Sequence, residues 1–400
     1  MRLRGDGMNK TNRVQLSEIA SLITKGTTPT TIGYEFQDSG INFLKIECFD
    51  EYGNYIESKA AHISDECHEK LKRSQLKSGD ILFSIAGAIG RVAIVTDEML
   101  PANTNQALAI IRITREDVFL PYIKLILSSP LVKEQFEKKK QGVAQLNISL
   151  KDINELSIPL PSINEQIALT ALFEKVGGII SKRQQQLTAL DDLIKARFVE
   201  MFGDPVSNPK GWVKKALSDE AEIRIGPFGS LLHKEDYVSG GHALVNPSHI
   251  INGQIVPDNE LTVSDTKYTE LSPYHLIPGD VVMGRRGEMG RCAVVEETGL
   301  LCGTGSLLIR TNGELSADFI QKIISFPSFK RTIEDMAVGQ TMPNLNVPIV
   351  SSFEIIKPPK SVQEQYYAFV AQIDKSKSVI QKSLDETQLL FDSLMQQYFG

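Results

Sequence analysis

The sequence predicts an α+β protein: two similar α/β domains, related by an internal pseudo-two-fold repeat, joined by two long helices packed as an antiparallel coiled coil. Three observations carry that prediction. The stretch Leu76 to Val95 (LKSGDILFSIAGAIGRVAIV) realigns without a gap on Leu276 to Val295 (LIPGDVVMGRRGEMGRCAVV), and eight of the twenty pairs are identical. Leu187 to Gly203 (LTALDDLIKARFVEMFG) matches Leu384 to Gly400 (LDETQLLFDSLMQQYFG), so both halves close on Phe-Gly. Each half also ends in a long run whose apolar residues alternate in threes and fours, which is the stripe of a coiled coil. Two related but divergent halves point to one task performed at two places.

Each half opens with strand-prone, turn-rich sequence: ITKGTTPTT at 23 to 31 and INFLKIECFD at 41 to 50, then IRIGPFGSLL at 223 to 232 and ALVNPSHIINGQI at 243 to 255. The shared unit follows. Gly79-Asp80 and Gly279-Asp280 read as turns feeding apolar strands, and G-x-x-G-R reads as the next turn, giving a hairpin whose loop carries an arginine. A short helical pattern comes next, PYIKLILSSPLVKEQFEKK against SADFIQKIISFPSFKRTIEDM. Glutamine and asparagine segments then appear in both halves, QGVAQLNIS and GQTMPNLNV, with Asn147 aligned to Asn346.

The terminal helices have readable starts. Ser162-Ile-Asn-Glu165 and Ser361-Val-Gln-Glu364 both fit the S-x-x-E capping box, and prolines stand just before each. The first apolar stripe runs Leu172, Val176, Ile179, Leu187, Leu190, Ile194 and Met201, interrupted near Arg183; the second runs Phe369, Ile373, Ile380, Leu384, Phe391, Leu394 and Tyr398. At a rise of 1.5 Å per residue, each helix is about 55 Å long, too long for one small domain to cover. Gly177-Gly178 fall where the first helix carries two extra residues in this alignment. Each glycine costs roughly 1 kcal/mol in a helix interior, so a kink is expected there. Because the linker DPVSNPKG at 204 to 211 is short, helices packed side by side must run antiparallel, with one head at each end of a rod. The expected boundaries are a head at 1–161, a helix at 162–203, a head at 204–360 and a helix at 361–400.

Composition narrows the class. Four hundred residues at 42% hydrophobic and 23% charged suit a soluble globular chain with two cores. No apolar stretch could span a bilayer and MRLRGDGMNK lacks a signal-peptide core, so the expectation is a cytoplasmic protein with no membrane partner. Residues 1 to 7 read as a tag remnant or as an upstream start ahead of Met8. Cys48, Cys67, Cys292 and Cys302 form no C-x-x-C pair, and Cys67-His68 has no second ligand pair, so neither disulfides nor a bound metal is expected. A formal charge of −6 argues against nonspecific coating of nucleic acid but is compatible with a local basic cleft.

Enzyme motifs fail one by one. Asn246-Pro247-Ser248-His249 has one proline and no aromatic, unlike the motif of an adenine methyltransferase. There is no G-x-x-x-x-G-K-[ST] loop, and GRRGEMG is not a dinucleotide fingerprint. No E-x-K follows Pro257-Asp258, and none of the six histidines has a triad context.

The halves agree in framework and differ where loops would project, SIAGAIGR against GRRGEMGR above all. Short polar and arginine side chains on loops suit base-edge hydrogen bonding, with Arg for guanine and Asn or Gln for adenine. The candidate contacts are Lys25, Thr27, Thr28, Ser84, Arg91, Asn105, Gln145 and Asn147 in the first half. In the second they are Ser230, Asn246, Arg285, Arg286, Arg291, Gln340, Asn344 and Asn346. The competing reading makes Arg91 and Arg291 surface or salt-bridged, and Asn147 and Asn346 turn caps.

Together these motifs resemble the specificity subunit of type I restriction-modification systems over nearly the whole chain. The resemblance rests on ITKGTTPT with INFLKIECFD, both L-x-x-G-D units with G-x-x-G-R, IPLPSINEQ and PPKSVQEQ before the helices, and FGDPVSNPKGW at the junction. It implies two target recognition domains, each reading half of a bipartite, asymmetric sequence in double-stranded DNA, with the helices as spacer and docking surface. It also implies two modification subunits that carry S-adenosylmethionine and methylate adenine, and two restriction subunits that can add translocation and cleavage driven by ATP with Mg. This chain would then direct those activities, catalysing nothing and binding no cofactor. Without the resemblance, a coiled-coil interaction scaffold that binds no DNA also fits the acidic pI.

Overall fold

A computed structural model describes residues 13–138, 148–337 and 344–399. The chain forms two compact units, Met1–Gln186 with Ile380–Gly400 and Leu187–Val379. Each unit therefore holds the start of one long helix and the end of the other.

The first unit begins with β1 (Arg13–Gln15), α1 (Leu16–Ile19), β2 (Leu22–Lys25), β3 (Ile41–Leu44), β4 (Ala61–Ile63) and α2 (Asp65–Lys70). It continues through β5 (Ile81–Ser84), β6 (Val92–Ile94), β7 (Ala102–Thr104), β8 (Leu108–Arg112), α3 (Leu120–Leu127), α4 (Pro130–Lys138), α5 (Leu150–Asn154) and β9 (Ser157–Pro159). An antiparallel sheet in the order β2-β8-β5-β6 forms the middle layer. Its strands are apolar on both faces, and the two-residue period sorts them. Ile81, Phe83, Ala109 and Ile111 face α3, α4 and α5, while Leu82, Ala93 and Ile110 meet the second sheet, β4-β3-β7, at Leu44 and Ala102. That second sheet pairs β3 with β7 in parallel. Tyr122 and Ile153 complete the helical side of the core.

The second unit repeats the plan with β10 (Lys214–Ala216), α7 (Leu217–Glu220), β11 (Ala221–Ile225), β12 (Tyr237–Val238), β13 (His242–Val245), β14 (Ile250–Ile251), β15 (Gln254–Ile255), β16 (Thr262–Val263), α8 (Asp265–Glu270) and β17 (His275–Leu276). After these come β18 (Asp280–Gly284), β19 (Cys292–Val294), β20 (Leu300–Cys302), β21 (Ser306–Thr311), α9 (Ala317–Ile324), α10 (Pro327–Met336), α11 (Val347–Ser351) and β22 (Glu354–Ile356). The middle sheet is β11-β21-β18-β19; Val281, Met283 and Ile309 face the helices, and Val282 and Leu308 face Val245 and Cys302. The other sheet has five strands, β12-β16-β13-β20-β17, again with one parallel pair, β13 with β20. Both predicted hairpins are present, with Phe83 opposite Val92 and Met283 opposite Cys292 at their loop ends.

The long helices are α6 (Ile163–Phe202) and α12 (Lys360–Phe399), 40 residues each. In the first unit the start of α6 meets the end of α12: the Phe173 ring lies 5.4 Å from Phe391 and 5.5 Å from Phe399. In the second unit the end of α6 meets the start of α12, with Phe198 at 5.6 Å and Phe202 at 5.4 Å from Tyr366 and an ion pair of 2.6 Å from Lys377 to Asp191. Within each unit the helices therefore run antiparallel, as expected.

Several helix expectations are corrected. Ser162 and Glu165 form the capping box, the serine hydroxyl donating to the carboxylate at 2.6 Å and the Glu165 N–H donating back to the hydroxyl at 3.4 Å. Ser361 does not cap α12, because that helix already starts at Lys360, and the Pro359 carbonyl accepts from the N–H groups of Val362 and Gln363. The equivalent residues are Gln166 and Gln363, both buried. Gln166 bonds Phe119, Asp117 and Pro161, while Gln363 bonds Ser316, Glu314 and Pro358. One constant offset runs from those glutamines to Phe202 and Phe399, so neither helix has extra residues, and α6 passes Gly177-Gly178 without a break. Val176 and Ile180, both buried, hold the helix on either side of the glycines. The buried stripe of α6 uses Phe173 and Ile180 in place of Leu172 and Ile179, and Ile179 is exposed.

Candidate nucleic-acid interface

An ion pair between a buried aspartate and a partly exposed arginine frames each hairpin. Gly79 and Gly279 take positive φ, 83° and 91°, which turns the chain so that Asp80 and Asp280 point inward. Asp80 accepts from Arg112 Nε and Nη2, both at 2.6 Å, and from the Lys77 N–H at 2.7 Å. Asp280 accepts from Arg310 Nε and Nη2, both at 2.7 Å, and from the Ile277 N–H at 2.8 Å. Such two-pronged contacts fix direction as well as distance. The loops at the opposite end of each hairpin are held to a common frame.

At that end of the first unit, three loops meet. Gly26 packs so tightly that a Cβ would lie 2.0 Å from the Thr104 carbonyl oxygen, which forces glycine and brings the 26–31 loop onto the β7–β8 turn. Thr27 N–H donates to Thr104 O at 3.1 Å, and the Thr28 hydroxyl donates to Gln106. Asn105 Oδ1 accepts from Ala107 N–H at 3.1 Å, and Ile85 N–H donates to Ala107 O at 2.9 Å, adding the hairpin loop to the group. Lys25 is exposed beside these loops. Ser84 is buried and its hydroxyl donates to Ala86 O at 2.9 Å, so it shapes the loop from inside. Gln145 and Asn147 lie outside the described residues.

The second unit assembles the same loops with different side chains. Gly226 packs as Gly26 does, its Cβ position 2.0 Å from the Gly303 carbonyl oxygen, and Thr304 donates its hydroxyl proton to Pro227 O at 2.7 Å. Asn246 Oδ1 accepts from Gly305 N–H at 3.1 Å. Arg285 N–H donates to Gly305 O at 3.0 Å, its carbonyl accepts from Leu345 N–H at 2.9 Å, and its Nε donates to Asn344 Oδ1 at 3.0 Å. Arg286 is bridged to Asn344 through the backbone. Burial and the adjacent Arg286 charge pull the Arg285 guanidinium below the usual arginine range. Neither arginine is in an ion pair among the described residues. Ser230 stands exposed on the neighbouring loop, which also presents Phe228 and Leu231. Gln340 lies outside the described residues.

The remaining candidates sit elsewhere in each frame. Arg91 Nη1 donates to the carbonyls of Phe49 at 3.0 Å and Ile46 at 3.5 Å. Arg291 donates to Pro247 O at 3.1 Å and to Glu288 at 2.6 Å. Each arginine ties its hairpin to the turn after β3 or β13. Arg291, with Lys330 behind it, holds the Glu288 carboxyl below the usual range. Asn346 caps α11, accepting from Ile349 N–H at 2.9 Å; Ser149 caps the equivalent α5. The match of Asn346 with Asn147 is therefore two residues out of register. Gln106, next to the candidate Asn105, and Thr304, in a stretch without a sequence signal, are absent from the predicted set, and both bind the opening loop.

Among the described residues no cluster of three or more His, Cys, Asp and Glu stands close enough to hold a metal ion, and no helix is long and apolar enough to cross a membrane. Comparison with known proteins gives a consistent result. The family model for the type I restriction modification DNA specificity domain matches twice, at residues 8–196 and 209–387. The chain is 22% identical over 400 residues to the type I restriction enzyme MjaIX specificity subunit of Methanocaldococcus jannaschii, covering 93% of this chain and 89% of that one. It is 31% identical over 150 residues to the EcoBI specificity subunit of Escherichia coli, a match spanning 37% of this chain and 31% of that protein. Two solved structures share the fold. A chain from work on complex assembly and conformational transition of the type I R-M system superposes with a TM-score of 0.66 at 17% identity, over 97% of both chains. The type I restriction-modification S subunit from M. genitalium gives 0.52 at 14% identity, over 100% of this chain and 98% of that one.

Proposed function

The chain belongs to the type I restriction-modification DNA specificity family, and from that premise we propose that it reads a bipartite, asymmetric site in double-stranded DNA and directs partner subunits to it. One observation carries this reading. Two copies of one frame, each locked by an arginine on a buried aspartate and by a tightly packed glycine, hold equivalent loop clusters whose side chains differ. A shared frame with unlike loops suits two half-sites of unlike sequence.

The chain acts as the noncatalytic member of the complex. Two modification subunits bring S-adenosylmethionine and take the flipped adenine, and restriction subunits, where present, bring ATP and Mg. Exposed Ile167, Leu193, Val199, Val379, Leu389 and Leu390 on the long helices offer those partners apolar surface. Phosphate contacts from exposed basic residues would supply much of the affinity and make it salt-dependent. Adenine methylation mapped in cells with and without the gene tests the reading. Loss of one bipartite motif is the expected result, and an unchanged methylome overturns it in favour of a scaffold without DNA binding.

A further inference from the structure

We propose that Arg285 reads a guanine in the half-site of the second unit, with Asn344 positioning its guanidinium; the inference rests on the DNA-recognition reading above. Arg285 is fixed on three sides. Its N–H is bound to Gly305 O, its carbonyl to Leu345 N–H, and its Nε to Asn344 Oδ1 at 3.0 Å. A guanidinium carries five N–H donors in a planar fork. With Nε engaged, the terminal nitrogens Nη1 and Nη2 remain, and they match two acceptors set side by side. Guanine O6 with N7 offers such a pair, and so does a phosphate.

Two features favour the base. Arg285 is half-buried and its direction is set by neighbouring groups, which is what discrimination between bases requires. Arg286 beside it is exposed, with no side-chain partner among the described residues, and suits the less demanding phosphate contact. Their adjacent positive charges meet no carboxylate within ion-pair distance among the described residues, so the spot favours an electron-rich ligand. By contrast Arg91, Arg112, Arg291 and Arg310 all spend terminal nitrogens on protein oxygens. The first unit has Ile85 and Ala86 at the matching loop positions, with Ile85 buried, so this mode of reading is confined to the second unit.

The test maps adenine methylation in cells whose full-length chain is wild type, Arg285→Lys, Arg285→Gln, Asn344→Ala or Arg286→Ala. Expected is that the Arg285 and Asn344 variants lose the requirement for one G·C pair in one half-site while the other half-site stays strict, and that Arg286→Ala keeps the motif. If both Arg285 variants keep the wild-type motif, or loosen both half-sites alike, the inference is overturned. A second measurement does not depend on any variant folding. In the purified complex with its modification subunits, 7-deazaguanine at that position removes only the N7 acceptor, and wild-type binding should weaken roughly five- to a hundredfold. Unchanged binding overturns the inference, as does a loss at every sequence with a smaller salt slope in Arg285→Gln, which would mark a phosphate contact. A gene deletion that erases no methylated motif defeats the recognition reading itself; a motif that vanishes on deletion yet ignores Arg285 defeats only this inference.

Discussion

Asp280 shows how one side chain can set a loop's position without touching a ligand. It is 1% exposed and takes both prongs of Arg310, itself about a third exposed at 32%. Asp280→Asn leaves the guanidinium facing a neutral group, and losing one partner of such a pair costs about 3 kcal/mol, the lower end applying because Arg310 is partly solvated. Chemical denaturation of the full chain should show that loss, and an unchanged midpoint would mean the pair contributes little. A second residue-scale prediction concerns pH. Burial pushes the Cys292 thiol up to about 12 from its ordinary 9.0. A thiol raised on folding stabilises fully below its unfolded value, and that contribution is lost as pH rises from about 9 toward about 12. The denaturation midpoint of the wild type should therefore fall more steeply above pH 9 than that of Cys292→Ala. Parallel curves would refute the assignment.

At the scale of elements, the heptad pattern of the helices was legible and their alignment was not. Apolar spacing announced two long helices, but the S-x-x-E at Ser361 resembled a start signal one residue inside the real one. Matching it to Ser162 implies a two-residue insertion that the structure lacks, and with it the kink expected at Gly177-Gly178. The true anchors, Gln166 and Gln363, carry no distinctive local motif because two of the three partners of each are backbone groups 47 and 49 residues upstream. The sheets followed the same rule. Hairpins announced themselves through turn glycines, whereas the parallel pairing of β3 with β7 depends on a crossover with no local signal. The candidate loops were recognisable by position, yet burial of Ser84 and the clamp between Arg285 and Asn344 depend on contacts far apart in sequence. Two substitutions test the helix account. A Cβ at Gly177 or Gly178 would meet nothing within 4 Å, so alanine at either position should stabilise by about 0.5 to 1 kcal/mol, read as a higher thermal midpoint. Gln363→Ala should cost about 1 to 3 kcal/mol, because Ser316 N–H and two carbonyls lose a buried partner.

At the scale of the molecule, the first unit is not a continuous piece of chain: it joins Met1–Gln186 to Ile380–Gly400, while the second, Leu187–Val379, is unbroken. Met395 and Phe399 are 5% and 1% exposed in the core of the first unit, beside Tyr122 and Phe173. Phe399→Ala should cost about 3 to 5 kcal/mol there while leaving the second unit's core untouched, which hydrogen exchange resolved along the chain would distinguish. The same arrangement sets a clock on biosynthesis. A ribosome that has already released Tyr122 and Phe173 must translate more than two hundred further residues before Phe399 arrives to cover them. Through that interval the nascent first unit exposes an unfilled apolar socket, an opening for chaperones and for the wrong helix from another chain.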